Sequence, residues 1–145
     1  MAIVLPDGIL GNPNTEYVRA WILNNFKLLA SIDLAVEAFL PQVGVQASIL
    51  FLQKKTEQEK LMYGEDYDVF MAIAQKLGKD RRGNQIFERD KYGAELLFDT
   101  EVEYLVVTKS GKKELKRRKE KMKKLNDELS AISTAFQKFY VKKIK

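Results

Sequence analysis

Few stretches of this 145-residue chain bring together residue types that could do chemistry. It contains no Cys and no His, which excludes disulfides, Cys/His zinc sites and His-dependent nucleophilic triads. Asp7-Gly8-Ile9-Leu10-Gly11 has the Gly-x-x-Gly spacing of a weak phosphate-turn signal but lacks the third glycine of a dinucleotide fingerprint. A plain turn is the simpler reading. Gly78-Lys79-Asp80-Arg81-Arg82-Gly83-Asn84-Gln85 has the glycine spacing of a phosphate loop, yet Asn-Gln stands where Lys-Ser/Thr is required, so nucleotide binding fails there. Lys79, Arg81 and Arg82 stay as candidates for contacts to a DNA backbone, beside the alternative of an exposed turn. Asp66 and Asp68 read as helix-start chemistry rather than a metal pair. Phe39, in the turn Phe39-Leu40-Pro41-Gln42, either folds back onto the core, as large apolar side chains commonly do, or offers a stacking face to a base. No catalytic residue and no metal ligand is identified.

Charge is unevenly spread. Residues 1–50 carry two basic and four acidic groups, residues 51–100 nine and ten, and residues 101–145 fourteen and six. The net charge of +5 therefore belongs to the C-terminal third, which argues for a local contact surface rather than a uniformly DNA-coating protein. Within Lys112 to Lys124 there are nine basic and two acidic residues. Lys116, Arg117 and Lys121 are the candidates there for DNA phosphates, against the alternative of a solvated face. No run of about 18 apolar residues suggests a membrane span, and no signal peptide is legible. A cytoplasmic location is expected.

The elements that would position these residues follow from periodicity. Val45 to Gln53 is almost continuously apolar or small, which reads as a strand covered on both faces and central to the fold. Ala2 to Leu5 and Leu28 to Leu34 are two further strands. Between them Asn12 acts as N-cap, Pro13 opens the helix, and Val18, Trp21, Ile22 and Phe26 form one buried stripe. The turn Pro6, Asp7, Gly8 to Gly11 leaves the C-terminal end of a strand, where ligands of open α/β sheets bind, so it would line a site. Asp33 either touches a ligand or caps the next turn, and the cap is the favoured reading. A helix is expected from Tyr67 to Leu77, capped by Asp66, with Val69, Phe70, Ile73 and Leu77 inward and Gly78 beyond its end. Ile86 to Arg89, a turn at Asp90 to Gly93, and Val102 to Thr108 suggest short antiparallel strands. Leu115, Met122, Leu129 and Phe136 recur every seven residues, with Leu125, Ile132 and Phe139 between them. That spacing predicts a long basic helix packed along another helix.

The ordered set Ile3 to Asn12, Val18 to Asn25, Ala30-Ser31-Ile32-Asp33-Leu34 and Phe39-Leu40-Pro41-Gln42-Val43-Gly44 running into Val45 to Leu52 resembles the later half of adenine-N6 DNA methyltransferases, specifically the M subunit of type I restriction-modification systems. Asp68 to Ala74 and Gly78 to Asn84 are similar to the next segment of that family. The likeness implies a partial doubly wound α/β methyltransferase sheet (strand-helix-strand-strand) with an α+β extension and a long basic C-terminal helix. Its divisions would be residues 1–55, 56–109 and 110–145. It also implies that the strand 45–53 runs antiparallel between the other two, and that Phe39 matches an aromatic that stacks on a flipped-out adenine. Leu40 intervenes between Phe39 and Pro41, where relatives often have the aromatic directly before Pro.

The family uses S-adenosylmethionine, bound on a glycine-rich turn, and an Asn/Asp-Pro-Pro-aromatic motif. The resemblance places both upstream of Met1, so no cofactor site is expected in this chain and the chain alone is expected to be inactive. Implied partners are DNA, a separately encoded catalytic half, and the specificity and restriction subunits. The alternative is a non-enzymatic nucleic-acid or protein-binding module derived from the same family. The strand Ala2 to Leu5 has no Lys or inward charge to protect its edge, so pairing with another chain and a homo-oligomer are expected.

Overall fold

The structure, a computed structural model, describes residues 1–61, 66–108 and 111–144. Two compact units are present: Met1–Asn84 with Asp127–Lys145, and Gln85–Asn126.

The first unit is built on a four-stranded sheet in the order β1-β3-β2-β4, from β1 (Ala2–Pro6), β2 (Phe26–Leu34), β3 (Ala47–Lys54) and β4 (Phe70–Ala74). β3 is antiparallel to both β1 and β2, with Val4 and Ile32 both opposite Ile49, as the likeness implied. The unbroken apolar run of β3 has the expected cause: its side chains serve two cores. Leu50 and Leu52 join Ile22 under α2 (Glu16–Asn25), with Ile3, Leu5, Val18 and Leu28 packed around them. Ile49 and Phe51 point to the other face, where Ile32, Leu34 and Ala74 form a second cluster with Ile132 of α4 (Leu129–Ile144). Phe136 of α4 lies 5.4 Å from the Phe51 ring and 5.5 Å from Phe70.

Asn12 Oδ1 accepts from the Asn14 amide at 2.9 Å, so it caps a short 3-10 turn, Pro13–Thr15, that leads into α2. The single turn α1 (Asp7–Gly11) is tied to α2 by Arg19, whose guanidinium donates to the carbonyls of Ile9 and Asn12. Trp21 is not part of the buried stripe: it is 60% exposed, with its ring tilted against Phe26 at 5.9 Å. Ile22 takes the core position because β2 begins at Phe26, which fixes the rotation of a ten-residue helix. The one-turn helix α3 (Glu57–Leu61) starts with a capping box. The Thr56 amide and hydroxyl both donate to Glu59, and the Glu59 amide donates to Thr56 Oγ1. These amide and hydroxyl bonds, with Lys27, hold the Glu59 carboxyl down to about 2.

Two further expectations are overturned. Phe70–Ala74 is a strand, β4, parallel to β2 with Ile32 opposite Ala72, and not the middle of a helix over residues 67–77. A five-residue apolar run carries no decisive period, and the edge of β2 supplies hydrogen bonds that a helix there would forgo. Residues 112–124 are not helical either: β6 (Lys113–Lys123) pairs antiparallel with β5 (Leu97–Val107) over their whole length. The long basic heptad helix is therefore half hairpin strand, and only Leu129, Ile132, Phe136 and Phe139 lie on a helix. That helix packs on a sheet. The first unit extends past residue 55 to Asn84 because β4 pairs with β2, the hairpin joins residues on both sides of 109, and the chain returns to the first unit at Asp127.

In the second unit Phe87 bridges Leu125 and Arg89 bridges Glu95. The turn at Asp90 to Gly93 is present, with Asp90 Oδ1 accepting from the Tyr92 and Ala94 amides and Gly93 at φ 86°.

Because Leu52 is only 2% exposed and Met71 on β4 is 70% exposed, Leu52→Ala should lower unfolding free energy by about 2–5 kcal/mol. Met71→Ala should change it by about 0.5 kcal/mol or less. Urea titration of both variants checks the assignment.

Candidate functional site

β1, β2 and β4 all run in one direction against β3, so their carboxyl ends at Pro6, Leu34 and Ala74 gather at one end of the sheet with the start of β3. Ligands of open α/β sheets bind outside the carboxyl ends of such strands. Three connections meet there: Asp7–Gly11, residues 35–46, and residues 75–84.

Asp7 is fixed twice to β3 and the approach to it. Its amide donates to the Gln46 carbonyl at 3.0 Å, and its Oδ1 accepts from Ser48 Oγ at 3.3 Å. Ser48 is the one buried polar residue of the described core, and this bond satisfies it. Asp33 accepts from Gln46 Nε2 at 3.2 and 3.3 Å, so it braces the residue before β3 and is not the cap of the next turn.

The segment carrying Phe39 is held by the loop that follows β4. Lys79 Nζ donates to the carbonyls of Ala38 at 2.7 Å and Leu40 at 3.3 Å. Arg81 Nε pairs with Glu37 Oε1 at 3.1 Å. The Glu37 carboxyl is held below its ordinary value first by its own backbone amide and then by Arg81. The bracing loop is itself a tight turn: Asp80 Oδ1 accepts from the Arg82 and Asn84 amides, and Gly83 sits at φ 87°. Hydrogen bonds from the Asn84 side chain and backbone lead the causes that lower the Asp80 pKa. Gly83 has a second constraint, since a Cβ there would lie 3.2 Å from Pro41 Cδ. The Leu40-Pro41 peptide is cis.

Lys79 and Arg81 are thus engaged in holding the Phe39 segment, a role that the residue pattern alone did not reveal. The spacing Asp80-x-x-Gly83, repeated as Asp90-x-x-Gly93, is the signal that could have shown the turn. Arg82 makes no ion pair among the described residues. Phe39 itself is 37% exposed, so it neither lies deep in the core nor stands free. Gly8 and Gly11 have no atom within 4 Å of where a Cβ would be. With Pro6 and Asp7 they lie at the carboxyl end of β1. Lys116, Arg117 and Lys121 are all on β6, in the second unit. The sheet end carries an aromatic ring on a braced segment and two carboxylates, Asp7 and Asp33, that are both hydrogen-bonded.

The N-6 DNA Methylase family model matches residues 1–93. The chain belongs to the N-6 DNA methylase family. No curated protein matches it. The match covers the four-stranded sheet, α2, the Phe39 segment and the bracing turn, which places all of the geometry above inside a methyltransferase family that generally depends on S-adenosylmethionine. The residues at the end of β1 do not fit that cofactor. Here the N-6 DNA methylase chain has a single helical turn with two glycines, Gly8 and Gly11, in place of a glycine-rich turn.

The brace makes a sharp prediction. Gly83→Ala must adopt a left-handed backbone and press on Pro41, costing about 1–3 kcal/mol, and Lys79→Met leaves two carbonyls without their donor. Both variants should raise amide exchange at Val43, whose N–H bonds to the Phe39 carbonyl, while exchange within β3 stays unchanged.

Proposed function

We propose that this chain is the C-terminal portion of the M subunit of a type I restriction-modification system, a DNA adenine-N6 methyltransferase, and that it supplies the target-base side of the site. In this reading Phe39 stacks on the extruded adenine, and Pro6, Asp7, Gly8 and Gly11 line the approach. Base-modifying enzymes take the target out of the duplex and stack it against aromatic or apolar side chains. The single observation that carries the reading is the half-exposed Phe39 ring, held by Lys79, Arg81 and Gly83 at the ligand-binding end of a sheet inside the family match.

The glycine-rich cofactor turn and the Asn/Asp-Pro-Pro-aromatic motif do not occur among these 145 residues, where no Pro-Pro is found. Methylation would then need residues outside these 145 to supply the S-adenosylmethionine site and the catalytic motif, and the specificity and restriction subunits would complete a cytoplasmic assembly on DNA. The outer edge of β1 pairs with no strand among the described residues, and Val4 beside it is exposed. That edge suits a strand from such a half or from a second copy. A second reading, a non-enzymatic binding module of the same descent, is favoured by the missing motifs. A reading frame upstream of Met1 that encodes them would decide for the enzyme.

The test is Phe39→Ala in the complemented enzyme. Loss of stacking worth about 1–3 kcal/mol should slow methylation by about 5- to 150-fold and reduce the fluorescence rise of 2-aminopurine at the target. Phe39→Trp should restore both. Unchanged methylation with stability lowered by about 3–5 kcal/mol would make Phe39 a core residue instead.

A further inference from the structure

The β5–β6 hairpin is a two-stranded ribbon with eleven paired positions on each strand, roughly 36 Å long at the usual rise of a strand. Every residue of β6 except Glu120 is exposed. β6 carries seven basic and two acidic residues, and strand alternation sorts them. Lys113, Arg117, Lys119, Lys121 and Lys123 share one face at the alternate-residue repeat of about 6.7 Å, interrupted only by Leu115.

β5 sets acids against part of this row: Glu103 lies opposite Arg117, Glu101 opposite Lys119 and Asp99 opposite Lys121. Only the first of these cross-strand pairs closes, at 2.7 Å. Arg118 pairs with Glu120 and stacks over Tyr104, Lys123 pairs with Glu95, and Lys124 with Glu88. Lys112, Lys113, Lys116, Lys119 and Lys121 make no ion pair among the described residues. Towards the turn β5 carries no acid beyond Glu103 and β6 carries only Glu114, so Lys112, Lys113 and Lys116, without an ion pair among the described residues, lie there with exposed Leu105, Val107 and Leu115.

We propose that this ribbon is a DNA-binding arm, with its unpaired lysines on phosphates and the apolar residues near its turn pressed against the groove wall. The chemistry of the partner follows from the surface. A row of unneutralised cations along an exposed strand calls for a polyanion, and a two-stranded antiparallel ribbon is one of the elements that the major groove of B-DNA, about 12 Å wide, admits. The arm lies in the second unit, outside residues 1–84, and is independent of the stacking role of Phe39.

The test uses the full chain and a fluorescein-labelled 30-base-pair duplex of arbitrary sequence, followed by anisotropy over a salt series. Replacing Lys112, Lys113, Lys116, Lys119 and Lys121 by Gln should weaken binding at least about tenfold at low salt, and should flatten the plot of log affinity against log salt by about 0.9 for each phosphate no longer neutralised. A charge-matched variant in the first unit, with Lys54, Lys55, Lys60, Lys76 and Lys138 changed to Gln, should keep most of the affinity. Asp99→Asn with Glu101→Gln, which frees Lys121 and Lys119 from their opposing acids, should tighten binding. That gain guards against a five-site variant that fails to fold, and circular dichroism reports the fold of each. Equal losses in the two five-site variants, no gain on removing the acids, or capture of the chain by phosphatidylserine vesicles without binding to the duplex would overturn the proposal. The Phe39 variant binding this duplex as tightly as the parent chain would show that the arm acts apart from the stacking site.

Discussion

The first unit depends on β3 being hydrogen-bonded on both edges and packed on both faces. A strand in that position has no solvated side, so its sequence can hold neither charge nor alternation, and Ala47 to Leu52 obeys this. The constraint spreads outward through the register. Because Leu50 and Leu52 must meet Ile22, α2 is fixed over one face, and because Ile49 and Phe51 must meet Ile132 and Phe136, α4 must cross the other. Ser48 is the exception within the core. Its hydroxyl donates to Asp7, so a buried polar group anchors the first residue after β1 directly to the central strand.

The same strand determines where the Phe39 segment begins and ends. Residues 35–46 leave the end of β2 and re-enter at β3, a reversal that carries several backbone carbonyls away from any ladder. Buried or half-buried carbonyls need donors, and Lys79 supplies two of them from the loop after β4. Placing the bracing loop there requires β4 to lie beside β2 in parallel, which also brings Gly83 against Pro41. The position of the aromatic ring is thus a consequence of sheet order and not of the local turn alone. A segment tied at Glu37, Ala38 and Leu40 holds its ring in place better than a free loop would.

The elements that could be read in the sequence were those whose signals were local. β1, α2, β2 and β3 each had an apolar run or a 3.6-residue stripe closed by Pro, Gly or a cap, and the order of the strands came with the family likeness. Trp21 was misplaced because a helical stripe is wider than the contact it makes, and only the start of β2 decides which side chain turns inward. Phe70–Ala74 was misread because FMAIA satisfies a helix and a parallel strand equally, and the deciding partner, β2, lies some forty residues earlier. The roles of Lys79 and Arg81 were hidden for the same reason. A cation in a glycine turn looks free until the carbonyls it faces, on a different connection, are known.

The basic segment shows how a strong pattern can mislead. Lys, Arg and Glu are good helix formers and poor strand formers, and the seven-residue spacing of Leu115, Met122, Leu129 and Phe136 agreed with a helix. Against this stood a feature of the preceding segment: Asp99, Glu101 and Glu103 alternate with Thr100, Val102 and Tyr104, a period of two over β-branched and aromatic residues. A strand of that kind cannot remain unpaired, and a hairpin is the partner reached at least entropic cost. Once Thr108 closes the turn by donating its amide to the Lys112 carbonyl, with Gly111 at φ 78°, the register is determined. It sets Arg117, Lys119 and Lys121 opposite the three acids, and cross-strand pairs of opposite charge stabilise a ladder by about 0.2–1 kcal/mol each. The acids on β5 therefore explain why a lysine-rich segment becomes a strand. They are too few to neutralise it, and the same residues that fold the ribbon leave it carrying excess positive charge toward its turn.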